Sequence, residues 1–255
     1  MRGKAQQLII NADDFGYSKE INYGILEGHY AGAITSTTVM TNERYFNHAI
    51  NLYPKSLGIG VHLNLTWGNS LSTGKPFSRW NKQKIVLGLI DPNFVEKEYR
   101  KQIEKLLARG IKPDHLDSHH YLHAFSPVQE IMIQLAKEYN INKIRWPKEK
   151  CIATAFSMSY LKQKLIHAQL KTCPLRTTDH FFGIRYAGNP RLKHFLSYLN
   201  FTGTAEICCH PGKASSDKRD RLAHTREKEL AILTSRQFLD EIEKRKIKRI
   251  SFKDL

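Results

Sequence analysis

Short apolar runs alternate along this chain with longer segments whose apolar residues recur every three to four positions, the pattern of successive βα units. QLIIN (residues 7–11) predicts a first strand, and Ser18 offers a side-chain cap for a helix running through Tyr30 and stopping near Gly32. ITSTTVM (34–40), rich in β-branched residues, predicts a second strand, and LGIGVHLNL (57–65) a third. PNFVEKEYRKQIEKLLARG is amphipathic at helical period and ends at Gly110. DHLDSHH (114–120) follows as a strand, then a helix over 126–139, then the strand NKIRWP (142–147). TAEICCH (204–210) and KRISF (248–252) supply the last strands. The count is seven or eight strands separated by helices, with no break in composition and no internal repeat. One α/β domain over residues 1–255 is therefore expected, and a barrel is favoured over an open sheet. Long loops are expected at 66–82, 147–157 and 212–221. No glycine-rich phosphate-binding fingerprint follows the first strand, which leaves nucleotide-binding versions of such folds without support.

Composition changes this picture little. The chain has 255 residues, 41% hydrophobic and 25% charged, close to ordinary globular averages, so extensive disorder is excluded. No segment approaches the ~20 apolar residues a membrane helix needs, and the LIINA run near the start is too short for a signal-peptide core. Cys151, Cys173, Cys208 and Cys209 lack C-x-x-C spacing, which suits reduced, buried thiols and a cytoplasmic protein. Charge is less ordinary: 40 basic against 24 acidic residues give +16. Residues 143–176 hold eight basic side chains and one acidic, Glu149, and KRKIKR (244–249) adds five more basic ones. A basic surface can hold a polyanion, but lysines spread over helices are commonly a solvated face, and no nucleic-acid motif accompanies them.

Four predicted strands end in residue types that bind metals or move protons. Asn11-Ala12-Asp13-Asp14-Phe15-Gly16 follows the first, His62 and Asn64 end the third, His115 to His120 end the fourth, and Cys209-His210-Pro211-Gly212 ends a late strand. In a parallel βα fold these ends lie on one face, where such folds build their active sites. Each cluster also has a plain structural reading: a hydrogen-bonded core histidine, a turn before Phe-Gly, a solvated loop. What argues against taking all four that way is cost, because several carboxylates and imidazoles buried together need a metal or a reaction to account for them. Two imidazoles and one carboxylate leave coordination positions open, as catalytic metals require. The adjacent Asp13 and Asp14 suit a division of labour, one on the metal and one free as base, although strict strand alternation would send them to opposite faces.

NADDFGYSKEINYGILEGHYAGAITSTTVMTN, GVHLNLTWG, KPDHLDSHHYLH and ICCHPG resemble, in order and spacing, the motifs of the YdjC-like carbohydrate deacetylases, which include chitooligosaccharide deacetylases and hopanoid-associated relatives. The resemblance runs from about Leu8 to Gly212. It implies a NodB-like, distorted (β/α) barrel holding one divalent cation, Mg²⁺ or Zn²⁺. By the same resemblance Asp14, His62 and His119 are the metal ligands, Asp13 the general base, His210 the general acid, and Arg145 a substrate-binding residue. Tyr121 stands where the family often has a third consecutive histidine. The implied substrate is an N-acetylated sugar or short oligosaccharide, whose amide is hydrolysed with release of acetate. Trp67, Tyr121 and Trp146 are candidates to stack on sugar rings, against being core or lid aromatics. A homodimer is left open.

Two rivals remain. A facial-triad non-haem iron oxygenase would use two histidines and a carboxylate but leaves Asp13 and His210 without roles. A basic RNA- or polyanion-binding module would use the +16 but not the strand-end clusters.

Overall fold

A computed structural model describes residues 5–150, 158–170, 172–215, 217 and 219–255. Its centre is β1 (Gln7–Phe15), apolar at the start and buried at every residue but the first. Both neighbours run parallel to it. β6 (Thr204–Cys209) pairs with it from Gln7↔Thr204 to Ala12↔Cys209, and β2 (Ser36–Val39) pairs from Asn11↔Ser36 onward. The sheet continues through β3 (Gly58–Leu63) to β4 (Leu116–Ser118) on one side and β5 (His180–Phe182) on the other, in the order β4-β3-β2-β1-β6-β5. β7 (Lys248–Arg249) adds a short parallel pairing to the lower end of β1. All pairings being parallel, every strand needs a crossover, and the helices supply it.

The predicted helices form where the caps lie. Ser18 Oγ accepts from Ile21 N and opens α1 (Lys19–Tyr30). After α2 (Phe46–Leu52) and α3 (Asn81–Val86), α4 (Pro92–Leu107) starts on an Asp91 cap with proline in its first turn. α5 (Val128–Glu138), α6 (Met158–Gln169), α7 (Leu192–Tyr198), α8 (Ala223–Leu233) and α9 (Arg236–Lys244) complete the set.

Period-2 alternation sorts the strands into two faces. Leu8, Ile10 and Ala12 join the main apolar cluster with Val39, Val61 and Ile207. The opposite parity carries Asn11 and Asp13 on β1, Thr38 on β2, His62 on β3, Asp117 on β4, and Glu206 and Cys208 on β6. All are buried and linked in one polar layer.

Three expectations change. NKIRWP is not a strand of its own: two isolated parallel bridges, Leu116↔Ile144 and Lys143↔Arg176, carry the sheet from β4 toward the segment leading into β5. DHLDSHH is extended only over Leu116–Ser118, then tightens into a 3₁₀ turn (His119–Ala124) with left-handed backbone at His120 and Tyr121. KRISF pairs over two residues only. Each is a strand cut short where a site or a turn takes over. Of the predicted loops, 151–157 and residues 216 and 218 lie outside the described residues, as does Cys151.

Candidate active site

The adjacent aspartates serve different partners because β1 breaks its own alternation. Its register against β2 shifts between Ala12 and Phe15, and Asp14 adopts φ 69°, the left-handed region. Asp13 stays in the polar layer below, while Asp14 turns up toward the strand ends.

Asp14 Oδ1 lies 3.6 Å from His62 Nε2 and 3.5 Å from His119 Nδ1. The two imidazole nitrogens are 3.3 Å apart. These three donor atoms all lie within 4.8 Å of one another. Asp14 Oδ1 is buried and accepts no hydrogen bond, whereas Oδ2 accepts from Arg226 Nη2 at 2.7 Å. An unsatisfied buried carboxylate oxygen facing two imidazoles is costly as it stands, and a cation among them would remove that cost. The donor set therefore fits a divalent ion. His62 is already oriented for it: Nδ1 pairs with Asp117 Oδ1 at 2.7 Å, which aims Nε2 at the site. Burial works against charge on His62, yet Asp117 and Asp13 raise its pKa to about 9, so a cation bound there would displace a proton.

Asp13 is the hub of the layer beneath. Arg145 grips it with two hydrogen bonds of 2.7 Å, Nη1 to Oδ2 and Nη2 to Oδ1, and Asn11 Nδ2 adds a third at 3.0 Å. Burial alone would favour the neutral acid, but the Arg145 guanidinium holds Asp13 well below the usual carboxylate range. Arg145 also binds Asp117 at 2.5 Å and Glu206 at 2.7 Å. Fully buried, with its donors on three carboxylates, its guanidinium presents no surface to a sugar. It touches the candidate site only through Asp13.

His210 Nε2 comes within 3.9 Å of Asp13 Oδ2. Burial drives its pKa down to about 4, despite Asp13 and Asp14 nearby, so the ring is neutral at pH 7. Thus Asp13, Asp14, His62, His119 and His210 all meet at one end of the sheet. Of the candidate stacking aromatics, Tyr121 and Trp146 are core residues, the former hydrogen-bonded with Cys208 at 3.3 Å. Trp67 is half-buried at the rim, its ring 5.7 Å from that of Tyr17.

Three residues were given no role by the sequence reading, although Asp117 lay within its fourth cluster. Asp117 had a usable signal, since it lies two residues before His119 on a strand and shares the parity of the site. Arg226 and Glu229 had none: in a polar helix segment they look like solvated charge, yet both are buried.

A parallel α/β fold with a buried carboxylate and two histidines at its strand ends defines a class of metal-capable enzymes. Within that class, the YdjC-like protein family model matches residues 7–244. The chain belongs to this family. A carbohydrate deacetylase of Clostridium beijerinckii is 35% identical over 98% of this chain and 100% of its own length. A solved structure from Enterococcus faecalis V583, described by a proposed role in cellobiose-phosphate cleavage, superposes with TM-score 0.78 at 26% identity, covering 98% of this chain and 99% of its own. A peptidoglycan N-acetylglucosamine deacetylase shares the fold, with TM-score 0.51 and 10% identity over 97% of this chain and 86% of its own.

Proposed function

We propose that this chain is a metal-dependent carbohydrate N-deacetylase, hydrolysing the acetamide of an amino sugar or short N-acetylated oligosaccharide. The observation that carries the proposal is the orphaned Asp14 Oδ1 facing His62 and His119, directly above an ionised Asp13. The relatives named carbohydrate deacetylase support the substrate class.

In this reading Asp14, His62 and His119 hold one divalent cation. When bound, that ion polarises the acetyl carbonyl and makes water more acidic. Zn²⁺ and Mg²⁺ are the candidates, and two imidazole donors favour Zn²⁺. Asp13, kept ionised by Arg145, takes the proton of the attacking water. His210 is neutral at the outset, so it does not arrive carrying the proton it delivers. Its Nε2 is 3.9 Å from Asp13 Oδ2, a gap that one water spans, and by that route it receives the proton and hands it to the departing amine nitrogen. Arg145 is a positioning residue for the base rather than a sugar contact, and Trp67 with Tyr17 offers an apolar face at the rim. An oxygenase would leave the Asp13–His210 pair idle.

We read the fold as one domain, a distorted NodB-like (β/α) barrel in which the bridges at residues 143, 144 and 176 stand in for full ladders. The likeness to the peptidoglycan deacetylase supports this. A cytoplasmic location accords with the free thiols Cys173, Cys208 and Cys209. No helix among the described residues is long and apolar enough to cross a membrane.

The test is acetate release from N-acetylglucosamine oligomers, with and without chelator. Chelation should abolish it and added cation restore it. Asp13→Asn should lower kcat about a hundredfold to ten-thousandfold. Full activity of Asp13→Asn, or indifference to chelator, sinks the proposal.

A further inference from the structure

Helix α8 buries two charged residues one turn apart, Arg226 and Glu229, against the end of β6. Burying charge in a helix is costly unless every donor and acceptor is used. Here Arg226 divides its donors between Asp220 and the candidate site, and Glu229 turns to the site. Arg226 Nη2 donates to Asp14 Oδ2 at 2.7 Å, and Arg226 Nη1 donates to the His210 carbonyl at 3.4 Å. Glu229 Oε1 accepts from the His210 backbone N–H at 3.0 Å. The next residues are held by the same helix: Gly212 N donates to the Arg226 carbonyl at 3.3 Å. A Cβ at Gly212 would lie 3.0 Å from Arg226 Cδ, and a Cβ at Gly24 would stand 2.4 Å from Gly212 Cα, so the segment after His210 is packed tightly between α1 and α8.

We propose that Arg226 and Glu229 form a two-residue clamp that positions both halves of the site, Arg226 fixing Asp14 as a one-oxygen ligand and Glu229 fixing the backbone from which His210 reaches Asp13. The inference rests on the ligand and acid assignments proposed above. Arg226 also binds Asp220, Nε to Oδ2 at 2.6 Å, so its charge is balanced by a second carboxylate. It acts on Asp14 both through its charge and as an orienting donor. By occupying Oδ2 it leaves Oδ1 alone to face His62 and His119. At β6 the opposed grips on the His210 N–H and C=O fix the peptide on both sides, and the ring follows from that backbone.

The two members should separate experimentally. Outer partners of metal ligands typically govern affinity by about tenfold to a hundredfold. Arg226→Gln is expected to weaken Zn²⁺ binding by that factor, read by competition with a chromophoric chelator, while Glu229→Leu leaves affinity within about threefold. Glu229→Leu is expected to lower kcat at saturating metal by about tenfold to a hundredfold, the scale of a small misplacement. Glu229→Gln, which keeps a carbonyl acceptor for the His210 N–H, should recover most of that loss. Thermal unfolding of each apo variant identifies any that fails to fold, and Arg226→Lys then substitutes for Arg226→Gln with an intermediate loss of affinity expected. Unchanged affinity in folded Arg226 variants, or equal kcat losses in Glu229→Gln and Glu229→Leu, overturns the clamp. His62→Ala in the same titration separates this from failure of the functional proposal. If it still binds Zn²⁺ normally, the ligand set is wrong; if it does not and Arg226→Gln does, only the clamp is wrong.

Discussion

The two ends of the sheet make instructive opposites. At the lower end lies a hollow of about 770 Å³ lined by Gln6, His180, Leu199, Asn200, Phe201, Thr202 and Arg245. It is roomy but chemically quiet: Arg245 is committed to Glu241, to the Leu199 carbonyl and to Asn200, and Gln6 donates to the Phe201 carbonyl. At the upper end a buried carboxylate oxygen, Asp14 Oδ1, faces two imidazoles with nothing to bond. What separates a working site from a dent is unspent bonding capacity held in place by a charge-paired layer beneath, more than volume.

The largest effect expected from that contrast falls on the charge-paired layer. Arg145→Met leaves Asp13, Asp117 and Glu206 facing one another without their shared cation. Breaking such a buried cluster should cost about 3–5 kcal/mol, read as a lower urea midpoint at unchanged slope, together with loss of acetate release. A loss under about 1 kcal/mol would mean the layer does not support the site as described.

A smaller effect belongs to His123, whose Nδ1 meets Ser118 Oγ at 2.6 Å and whose Nε2 meets the Arg145 carbonyl at 3.1 Å. Burial lowers its pKa from 6.5 to about 3. Because the folded value lies below the unfolded one, the unfolded chain binds more protons between them. The stability at stake is complete above pH 6.5 and is lost as pH falls toward 3. Its share should be about 2 kcal/mol by pH 5, and His123→Gln should flatten the stability–pH slope by that amount. Equal slopes in the two proteins would remove His123 from the account.

The smallest effect is expected at the lower end. Arg245→Ala should leave deacetylation unchanged and shift stability by no more than about 1 kcal/mol, since its partly exposed pair with Glu241 is screened by solvent. A marked loss of activity there would erase the distinction between the two ends.

How legible this was depended on range along the chain. The apolar periodicity yielded β1, α1, β3, α4 and β6, because local caps and alternation decide them. It also put Asp13, Asp14, His62, His119 and His210 at strand ends, because that follows from strand direction alone. It did not yield the three-residue β5, too short to carry a pattern, nor the truncation of 142–147, which depends on what Arg145 binds across the sheet. Arg145 was located but given a sugar to hold, since nothing local reveals that Asp13, Asp117 and Glu206 converge on it. Arg226 and Glu229 were hidden for the same reason: their partners are as far off as Asp14.

The slip of β1 against β2 at Asp14 acts as a gauge. Adding one residue just before it would carry Asp13 up among the imidazoles, and deleting one would carry Asp14 down onto the guanidinium, so either change leaves the site one aspartate short. A change of length in the loops beyond the strand carries no such penalty, because it leaves the spacing between Asp13 and Asp14 untouched.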